Sequence, residues 1–254
     1  MCVQVYLNIT FHLNSMESKK HLGQNFLQDH NILRKEVSLA DVEGKIVLEI
    51  GPGDGRLTEK ILEKNPKRLI VVEKDERFAK FLIQKFLEDK RVEIVQGDFL
   101  DYPLPQINFI FGNIPYYISS KIIFKLKDYK FEKAVLMVQK EFAEKMVAKP
   151  NEKNYGRLSV TSQIFFDVEF VQKVPSHLFK PKPKVDSALI VLMLTGQMLT
   201  QKQEDFIRAL FSQKNKTIRA ILHKKIDLEP FEEFIKRRPR SLTKEEVLKL
   251  LSIK

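Results

Sequence analysis

Short apolar runs alternate with helix-spaced apolar positions along most of this 254-residue chain. Runs of five to seven residues that are rich in Val, Ile, Leu and Phe predict β-strands. The predicted strands are 45–50, 68–73, 91–95, 107–112, 134–139, 168–174 and 188–194. Amphipathic patterns such as that of 56–64 predict helices between most of them. Because strands and helices alternate, we predict an α/β domain with a mostly parallel sheet over residues 17–194.

The pattern changes after the polar break Thr195-Gly196-Gln197. Apolar residues at helical spacing then predict helices over 203–212, 217–223, 230–236 and 243–251. These helices would form a small all-helical domain over residues 197–254. Residues 1–16 fit neither domain, and we interpret them as an N-terminal extension or a misassigned start, since Met16 is a second methionine.

A glycine turn follows the first predicted strand. The strand ends at Gly51-Pro52-Gly53-Asp54-Gly55, and Glu73 ends the next strand. Glycines at a strand-to-helix turn let the backbone approach a ligand closely, and a carboxylate at the position of Glu73 can bind ribose hydroxyls. The spacing is G-x-G-x-G and no basic residue is placed for a pyrophosphate, which favours S-adenosylmethionine over NAD. The same turn is also typical of an ordinary tight βα connection.

Two further strand ends carry polar and aromatic residues. Gln96-Gly97-Asp98-Phe99 follows the third strand, where Asp98 could accept a hydrogen bond from an adenine amine and Phe99 could pack on its ring. Asn113-Ile114-Pro115-Tyr116 follows the fourth. Each motif alone also fits local structure, a helix cap for Asp98 and a turn for Asn-x-Pro. Ligands of open α/β sheets bind outside the carboxyl ends of the strands, so the motifs together indicate one site.

The second of these motifs suits the chemistry of adenine methylation. The lone pair of the exocyclic amine is delocalised into the ring and is a poor nucleophile. The Asn113 side chain and the Ile114 carbonyl could accept its two N–H bonds and aim the lone pair at a methyl donor. Pro115 fixes its own φ and biases Ile114 toward an extended conformation, and Tyr116 can stack on the base. The motif therefore predicts an adenine-specific methyltransferase.

These motifs, in this order, resemble the rRNA adenine dimethyltransferase family, whose small-subunit members dimethylate two adjacent adenosines near the 3′ end of the rRNA. The resemblance covers about residue 19 to the C-terminus. The matching segments are 21–27 (HLGQNFL), 49–55, Glu73, 97–98, 113–116, 155–159 (YGRLS) and 179–187 (FKPKPKVDS). It implies a Rossmann-like S-adenosylmethionine-dependent methyltransferase domain and a C-terminal helical domain that contacts RNA.

The resemblance also implies a role for each matching residue. The cofactor-binding residues would be Gln24, Asn25, Leu27, Gly51, Gly53, Glu73, Asp98, Phe99 and Asn113. The catalytic face would consist of Asn113, Ile114, Pro115 and Tyr116, with Phe179 packing on the target base from the other side. Lys74 and Asp54 receive no role.

The charge of the chain agrees with an RNA substrate. Lys and Arg number 44 against 33 Asp and Glu, which gives a formal net charge of +11. Basic clusters lie at 214–219, 224–225 and 236–240, and Lys180, Lys182 and Lys184 lie beside the predicted pocket. A single cysteine, Cys2, and five scattered histidines argue against a disulfide and a metal site. With no secretory signal or bilayer-spanning run, we expect a cytoplasmic enzyme that acts as a monomer, without a metal or a membrane partner.

Three alternatives remain open. The macrolide-resistance enzymes that dimethylate large-subunit rRNA share the Asn-Ile-Pro-Tyr motif, although 211–219 (FSQKNKTIR) looks more like the small-subunit group. A DNA adenine methyltransferase is disfavoured because no separate target-recognition region is visible. A ribosome assembly or transcription factor that lost catalysis is disfavoured by the intact motif at Asn113.

Overall fold

The computed structural model of the protein describes residues 24–103, 106–213, 215–222 and 232–252. The predicted extension 1–16, the 21–23 part of the first motif, and the basic residues Lys214, Lys224 and Lys225 lie outside the described residues. The chain divides into two compact units. The first runs to Lys140 and includes Val171–Met193, and the second comprises Glu141–Phe170 and the residues from Leu194 onward.

The first unit contains most of a seven-stranded sheet. In chain order, the elements up to Gln139 are β1 (Phe26–Leu27), α1 (His30–Ser38), β2 (Ile46–Ile50), α2 (Arg56–Leu62), β3 (Arg68–Glu73), α3 (Glu76–Lys85), β4 (Val92–Gln96), β5 (Phe109–Asn113), α4 (Ser119–Leu126) and β6 (Lys133–Gln139). They are followed by α5 (Lys140–Val147), α6 (Arg157–Phe165), β7 (Phe166–Val174), β8 (Phe179–Lys180) and β9 (Ser187–Leu194). The sheet order is β4-β3-β2-β5-β6-β9-β7.

The mostly parallel sheet predicted from the sequence is confirmed. Strands β4, β3, β2, β5 and β6 are parallel neighbours, and β9 is antiparallel to β6. Each predicted strand is present within two residues of its predicted ends. The strands could be recognised from the sequence because parallel strands are buried on both faces and therefore consist of continuous apolar residues. In β3, for example, each residue from Leu69 to Glu73 is buried.

A second, two-stranded sheet was not predicted. β1 pairs antiparallel with β8, with Leu27 opposite Phe179 and Phe26 opposite Lys180. Each strand has only two residues, too few to show a period in the sequence. The pairing fixes Leu27 and Phe179 on neighbouring strands although they are far apart in the chain.

The second unit is built around α-helices. Its C-terminal helices are α7 (Gln201–Leu210), α8 (Ile218–Leu222) and α9 (Lys244–Ser252), and α6 packs against α7 and α9. Tyr155, in the matched YGRLS segment, is 1% exposed and donates a hydrogen bond to the Leu242 carbonyl at 2.5 Å. That segment therefore has a structural explanation within this unit.

Two expectations from the sequence disagree with the structure of this unit. Residues 141–170 were expected in the α/β domain but cluster with the C-terminal residues. The helix predicted over 230–236 is wrong for its described part, 232–236, which forms turns. Phe234 and Ile235 are buried there without helical geometry, and the Arg237 N–H closes a turn onto the Phe234 carbonyl at 2.8 Å. Pro239 disfavours helix at the residue before it.

Candidate active site

A pocket opens at the carboxyl ends of the parallel strands, where the sequence motifs predicted a site. Ten of the predicted site residues line it: Gln24, Asn25, Leu27, Gly51, Gly53, Glu73, Asp98, Phe99, Asn113 and Pro115. The strand ends of β2, β3 and β5 and the residues after β4 thus converge on one cavity. Ile114, Tyr116 and Phe179 are not among its lining residues.

The glycine turn forms one wall of the pocket. Gly53 has φ +57°, a left-handed conformation that favours glycine. A Cβ at this position would lie 2.5 Å from Cε1 of Phe26. The turn therefore requires glycine both for its backbone conformation and for the close approach of the Phe26 ring.

Glu73 is held in place at the end of β3. Its side chain accepts hydrogen bonds from the Gly53 N–H at 3.1 Å and the Asp75 N–H at 2.7 Å. Burial raises the pKa of Glu73 above its ordinary 4.5, while these backbone hydrogen bonds oppose the rise. A carboxylate has about four lone-pair positions, so Glu73 keeps acceptor capacity for a ligand hydroxyl.

Asp98 forms an ion pair with Lys74, whose role the sequence left open. Lys74 Nζ lies 2.7 Å from Asp98 Oδ2, and the Leu100 N–H donates to Oδ1 at 2.9 Å. Partial burial disfavours the charged form, but the Lys74 and Leu100 interactions outweigh it and hold the pKa of Asp98 below its ordinary value. Asp98 is therefore an ionised acceptor, as recognition of an amine requires.

The segment before α1 covers the pocket. Gln24 Nε2 donates to Asp75 Oδ2 at 3.0 Å, which ties this segment to the N-terminal cap of α3. Asp54, the other residue without a predicted role, pairs with Arg56 at 2.8 Å. Arg56 also donates a hydrogen bond to Gln28 Oε1 at 2.6 Å, so these contacts hold the segment before α1 against the glycine turn.

Asn113 ends β5 with its amide oxygen free. The Oδ1 atom is buried and has no hydrogen-bond partner within the described chain. Buried polar atoms are nearly always satisfied, so an exception at a pocket wall is a functional signal. Its surroundings are fixed, because the Ile114 N–H donates to the Met137 carbonyl at 3.1 Å and the Pro115 carbonyl accepts from Ser119 Oγ at 3.1 Å.

Gly112 is a site-supporting residue that the sequence analysis missed. A Cβ there would lie 2.8 Å from the backbone carbonyl oxygen of Ile50. The absence of a side chain lets β5 lie close to β2 immediately before Asn113. The only available signal was a glycine inside an apolar strand, which marks close backbone approach.

The two predicted stacking residues, Tyr116 and Phe179, do not line the pocket. The Tyr116 hydroxyl and Ser187 Oγ are 2.7 Å apart and hydrogen-bonded. Phe179 is 6% exposed and belongs to β8. Tyr117, which the sequence analysis did not select, lines the pocket and is 58% exposed. The stacking roles of Tyr116 and Phe179 stay predictions.

Basic residues outside the pocket differ in their availability. Lys180, Lys182 and Lys184 are exposed in the first unit, and Lys236 and Arg238 are exposed in the second. Arg237 instead forms a two-point ion pair with Glu246, with distances of 2.5 and 3.0 Å. We therefore assign Arg237 to the folding of its own unit.

Metal-binding clusters and membrane-spanning helices are both absent from the described segments. No group of three His, Cys, Asp or Glu side chains there could hold a metal ion. Across those same segments, no helix combines the length and the apolar character needed to span a membrane.

Known proteins resemble the chain in both sequence and structure. A probable ribosomal RNA small subunit methyltransferase A from Methanococcus maripaludis strain C6 is 44% identical over 214 residues, or 82% of this chain and 81% of that protein. A dimethyladenosine transferase from Plasmodium falciparum superposes with a TM-score of 0.81 at 32% identity, covering 89% of this chain and 95% of that one. The 23S rRNA methyltransferase ErmE gives a TM-score of 0.70 at 30% identity, with coverages of 89% and 98%.

The same relationship extends over nearly the whole sequence. The family model described as ribosomal RNA adenine dimethylase matches residues 15–254, which include both units and each motif discussed above. Together with the convergence of the glycine turn, Glu73, Asp98 and Asn113 on one pocket, this match shows that the chain belongs to the ribosomal RNA adenine dimethylase family.

Proposed function

We propose that this protein transfers methyl groups from S-adenosylmethionine to the exocyclic amines of two adjacent adenosines near the 3′ end of small-subunit rRNA. The observation that carries the proposal is the buried, unpartnered Oδ1 of Asn113 at the wall of a pocket that also contains Glu73 and Asp98. Relatives at 41–44% identity bear a small-subunit methyltransferase name, which supports this substrate over large-subunit rRNA.

The pocket residues suit the cofactor. Glu73 would accept hydrogen bonds from the ribose hydroxyls, and Asp98 from the adenine amine. Gly51 and Gly53 would line the methionine side, where a glycine turn leaves room for the ligand, and Gln24, Asn25 and Leu27 would cover it. When bound, S-adenosylmethionine supplies an electrophilic methyl group on a sulfonium centre.

The protein contributes the orientation of the target amine. Asn113 Oδ1 and the Ile114 carbonyl would each accept one N–H of the amine, which localises the nitrogen lone pair and directs it toward the methyl group. With the cofactor bound, these two acceptors would hold the amine nitrogen toward the methyl carbon that the cofactor would supply as its carbon–sulfur bond broke, and the surplus proton of the methylated amine would leave to solvent. No strong base is needed, so positioning and electrostatic stabilisation provide the rate enhancement.

The target ring must leave its stack to reach this pocket. Tyr116 and Phe179 are the proposed packing residues, and Tyr117 adds an exposed ring at the pocket wall. The exposed lysines at 180, 182 and 184 would contact the RNA backbone, since phosphate contacts position a nucleic acid without reading its sequence. We further propose that the protein acts as a monomer on immature small subunits in the cytoplasm.

Labelled methyl transfer tests the proposal. The protein is incubated with methyl-labelled S-adenosylmethionine and, in parallel, immature small subunits, large subunits or DNA, and the nucleosides are analysed by mass spectrometry. We expect N6,N6-dimethyladenosine in small-subunit RNA alone. Labelling of large subunits would favour the macrolide-resistance reading and refute the small-subunit assignment. Binding to small subunits without any methyl transfer would leave an assembly factor and refute the enzyme.

A further inference from the structure

Lys125, on α4, holds a loop of the pocket through its ammonium group. Its Nζ donates hydrogen bonds to the backbone carbonyl oxygens of Leu100 at 2.6 Å and Tyr102 at 2.8 Å. A lysine usually keeps its ammonium group in water, whereas this one is directed onto the backbone of another segment. Hydrogen bonds from a charged donor are stronger than those between neutral groups, so the two bonds fix the course of residues 100–102.

The loop that Lys125 holds carries two of the proposed cofactor-binding residues. Asp98 and Phe99 directly precede Leu100, and both line the pocket. Leu100 is fixed at both of its backbone groups, since its N–H donates to Asp98 Oδ1 at 2.9 Å and its carbonyl accepts from Lys125. The carboxylate of Asp98 is therefore connected to Lys125 through a single residue.

Lys125 also contacts the aromatic side chain of this loop. Its Nζ is 5.3 Å from the centroid of the Phe99 ring, within the range of a cation–π contact. Phe99 is 4% exposed and stacks on Tyr129, with ring centroids 5.8 Å apart and an interplanar angle of 21°. The Tyr129 hydroxyl donates to the Tyr102 carbonyl at 3.4 Å, the same acceptor that Lys125 uses. One ammonium group thus supports both the backbone of the loop and its buried ring.

We propose that Lys125 is a positioning residue for the adenine of the cofactor and acts through Asp98 and Phe99. The inference rests on the proposed function, in which Asp98 accepts a hydrogen bond from the adenine amine. An acceptor distinguishes an amine from a carbonyl oxygen only if contacts behind it hold it in place. Lys125 does not itself line the pocket, so its effect on the cofactor would pass through the loop.

The motif that orients the target amine has separate supports. Ser119 Oγ, at the start of α4, donates to the Pro115 carbonyl at 3.1 Å. The Ile114 N–H donates to the Met137 carbonyl at 3.1 Å. Contacts to the adenine stabilise the ground state and the transition state alike. Loss of the Lys125 ammonium group should therefore raise KM for the cofactor about tenfold and leave kcat within about twofold of the wild type.

Calorimetric titration of the full chain with S-adenosylhomocysteine and with S-inosylhomocysteine tests the proposal. The purine amine of the first ligand is a carbonyl oxygen in the second, which would face the Asp98 carboxylate unfavourably. We expect the wild type to bind the adenosine form about 10- to 100-fold more tightly, the value of a hydrogen bond to a charged group. Lys125→Met keeps the apolar stem, loses the ammonium group and should reduce this ratio of affinities at least about fivefold. Lys125→Arg can still donate to both carbonyls and should preserve the ratio.

Lys121→Met is the matched control, because Lys121 is exposed on the same helix and should not affect the ratio. A purely structural role for Lys125 would lower Tm in Lys125→Met and leave the ratio of affinities at its wild-type value. That result overturns the inference and leaves the methyltransferase intact. Equal binding of both ligands by the wild type has the same consequence.

Failure of the wild type to bind either ligand overturns the proposed cofactor and the inference together. If circular dichroism shows that Lys125→Met does not fold, Lys125→Gln takes its place. Its side chain is shorter by one bond and cannot reach both carbonyls, so the ratio should again fall. An unchanged ratio in Lys125→Gln overturns the inference.

Discussion

Two asparagines at opposite ends of β5 give a sharp test of the catalytic assignment. Asn113 is the last residue of the strand and lines the pocket with an unsatisfied Oδ1, whereas Asn108 precedes the strand and is satisfied. Asn108 Oδ1 accepts from the Ile46 N–H at 3.0 Å, and its Nδ2 donates to Glu132 at 2.9 Å. Alanine at the two positions should therefore have opposite effects on stability and turnover.

The magnitudes follow from this hydrogen bonding. Removing a buried unsatisfied acceptor recovers roughly 1–3 kcal/mol, which offsets the packing lost in Asn113→Ala. We expect its unfolding free energy to stay within about 1 kcal/mol of the wild type while turnover falls about 10²- to 10³-fold. Asn108→Ala loses two hydrogen bonds, or about 2 kcal/mol, which lowers Tm by about 4–8 °C and leaves turnover unchanged.

Thermal melts and labelled methyl transfer to small subunits measure both quantities, with calorimetry to show that Asn113→Ala keeps nearly its full cofactor affinity. If Asn113→Ala is destabilised as much as Asn108→Ala and still turns over at the wild-type rate, the amide is structural. The assigned role of Asn113 would then be refuted.

Three other predictions follow from local geometry. Gly53→Ala should weaken cofactor binding at least about tenfold in calorimetry, because its Cβ would meet the Phe26 ring, while Gly44→Ala shares the positive φ but has open space and should leave affinity unchanged. Tyr116→Phe keeps the ring and loses one hydrogen bond, which costs about 1 kcal/mol of stability, so turnover should persist. Tyr116→Ala loses the ring, so turnover should be lost. If kinetic assays show equal losses of turnover in both variants, the hydroxyl and not the ring is the functional group. The pKa of Asp75 lies below its ordinary 3.8, chiefly because Arg77 donates a hydrogen bond to its carboxylate. A lowered carboxyl pKa stabilises the fold above the unfolded-state value, so Asp75→Asn should lower Tm at pH 7, and its difference from the wild type should shrink as the pH falls below about 4.

The sequence by itself determined the strands of the sheet and the positions of the motifs, because both depend on the order of residues within short segments of the chain. An apolar run buried on both faces, such as 68–73, is a strand signal by itself, and it appears in the structure with the same ends. Ligands bind at the carboxyl ends of parallel strands, so the sequence alone predicted that one site contains Gly53, Glu73, Asp98 and Asn113. The charge of +11 could be read in the same way, but it says nothing about which basic residues are available.

Only the tertiary structure decided how those residues are held. Several contacts join residues that are far apart in the chain, and no local sequence pattern predicts them. They are the Lys74–Asp98 ion pair, the Tyr116–Ser187 hydrogen bond and the two-residue pairing of β1 with β8. The grouping of residues 141–170 with the C-terminal helices likewise depends on long-range packing. Burial of Glu36 could not be read from the sequence either, because a glutamate on an amphipathic helix is ordinarily exposed. Local propensity sets the elements, and the contacts between distant segments set the protonation, orientation and access of the side chains at the site.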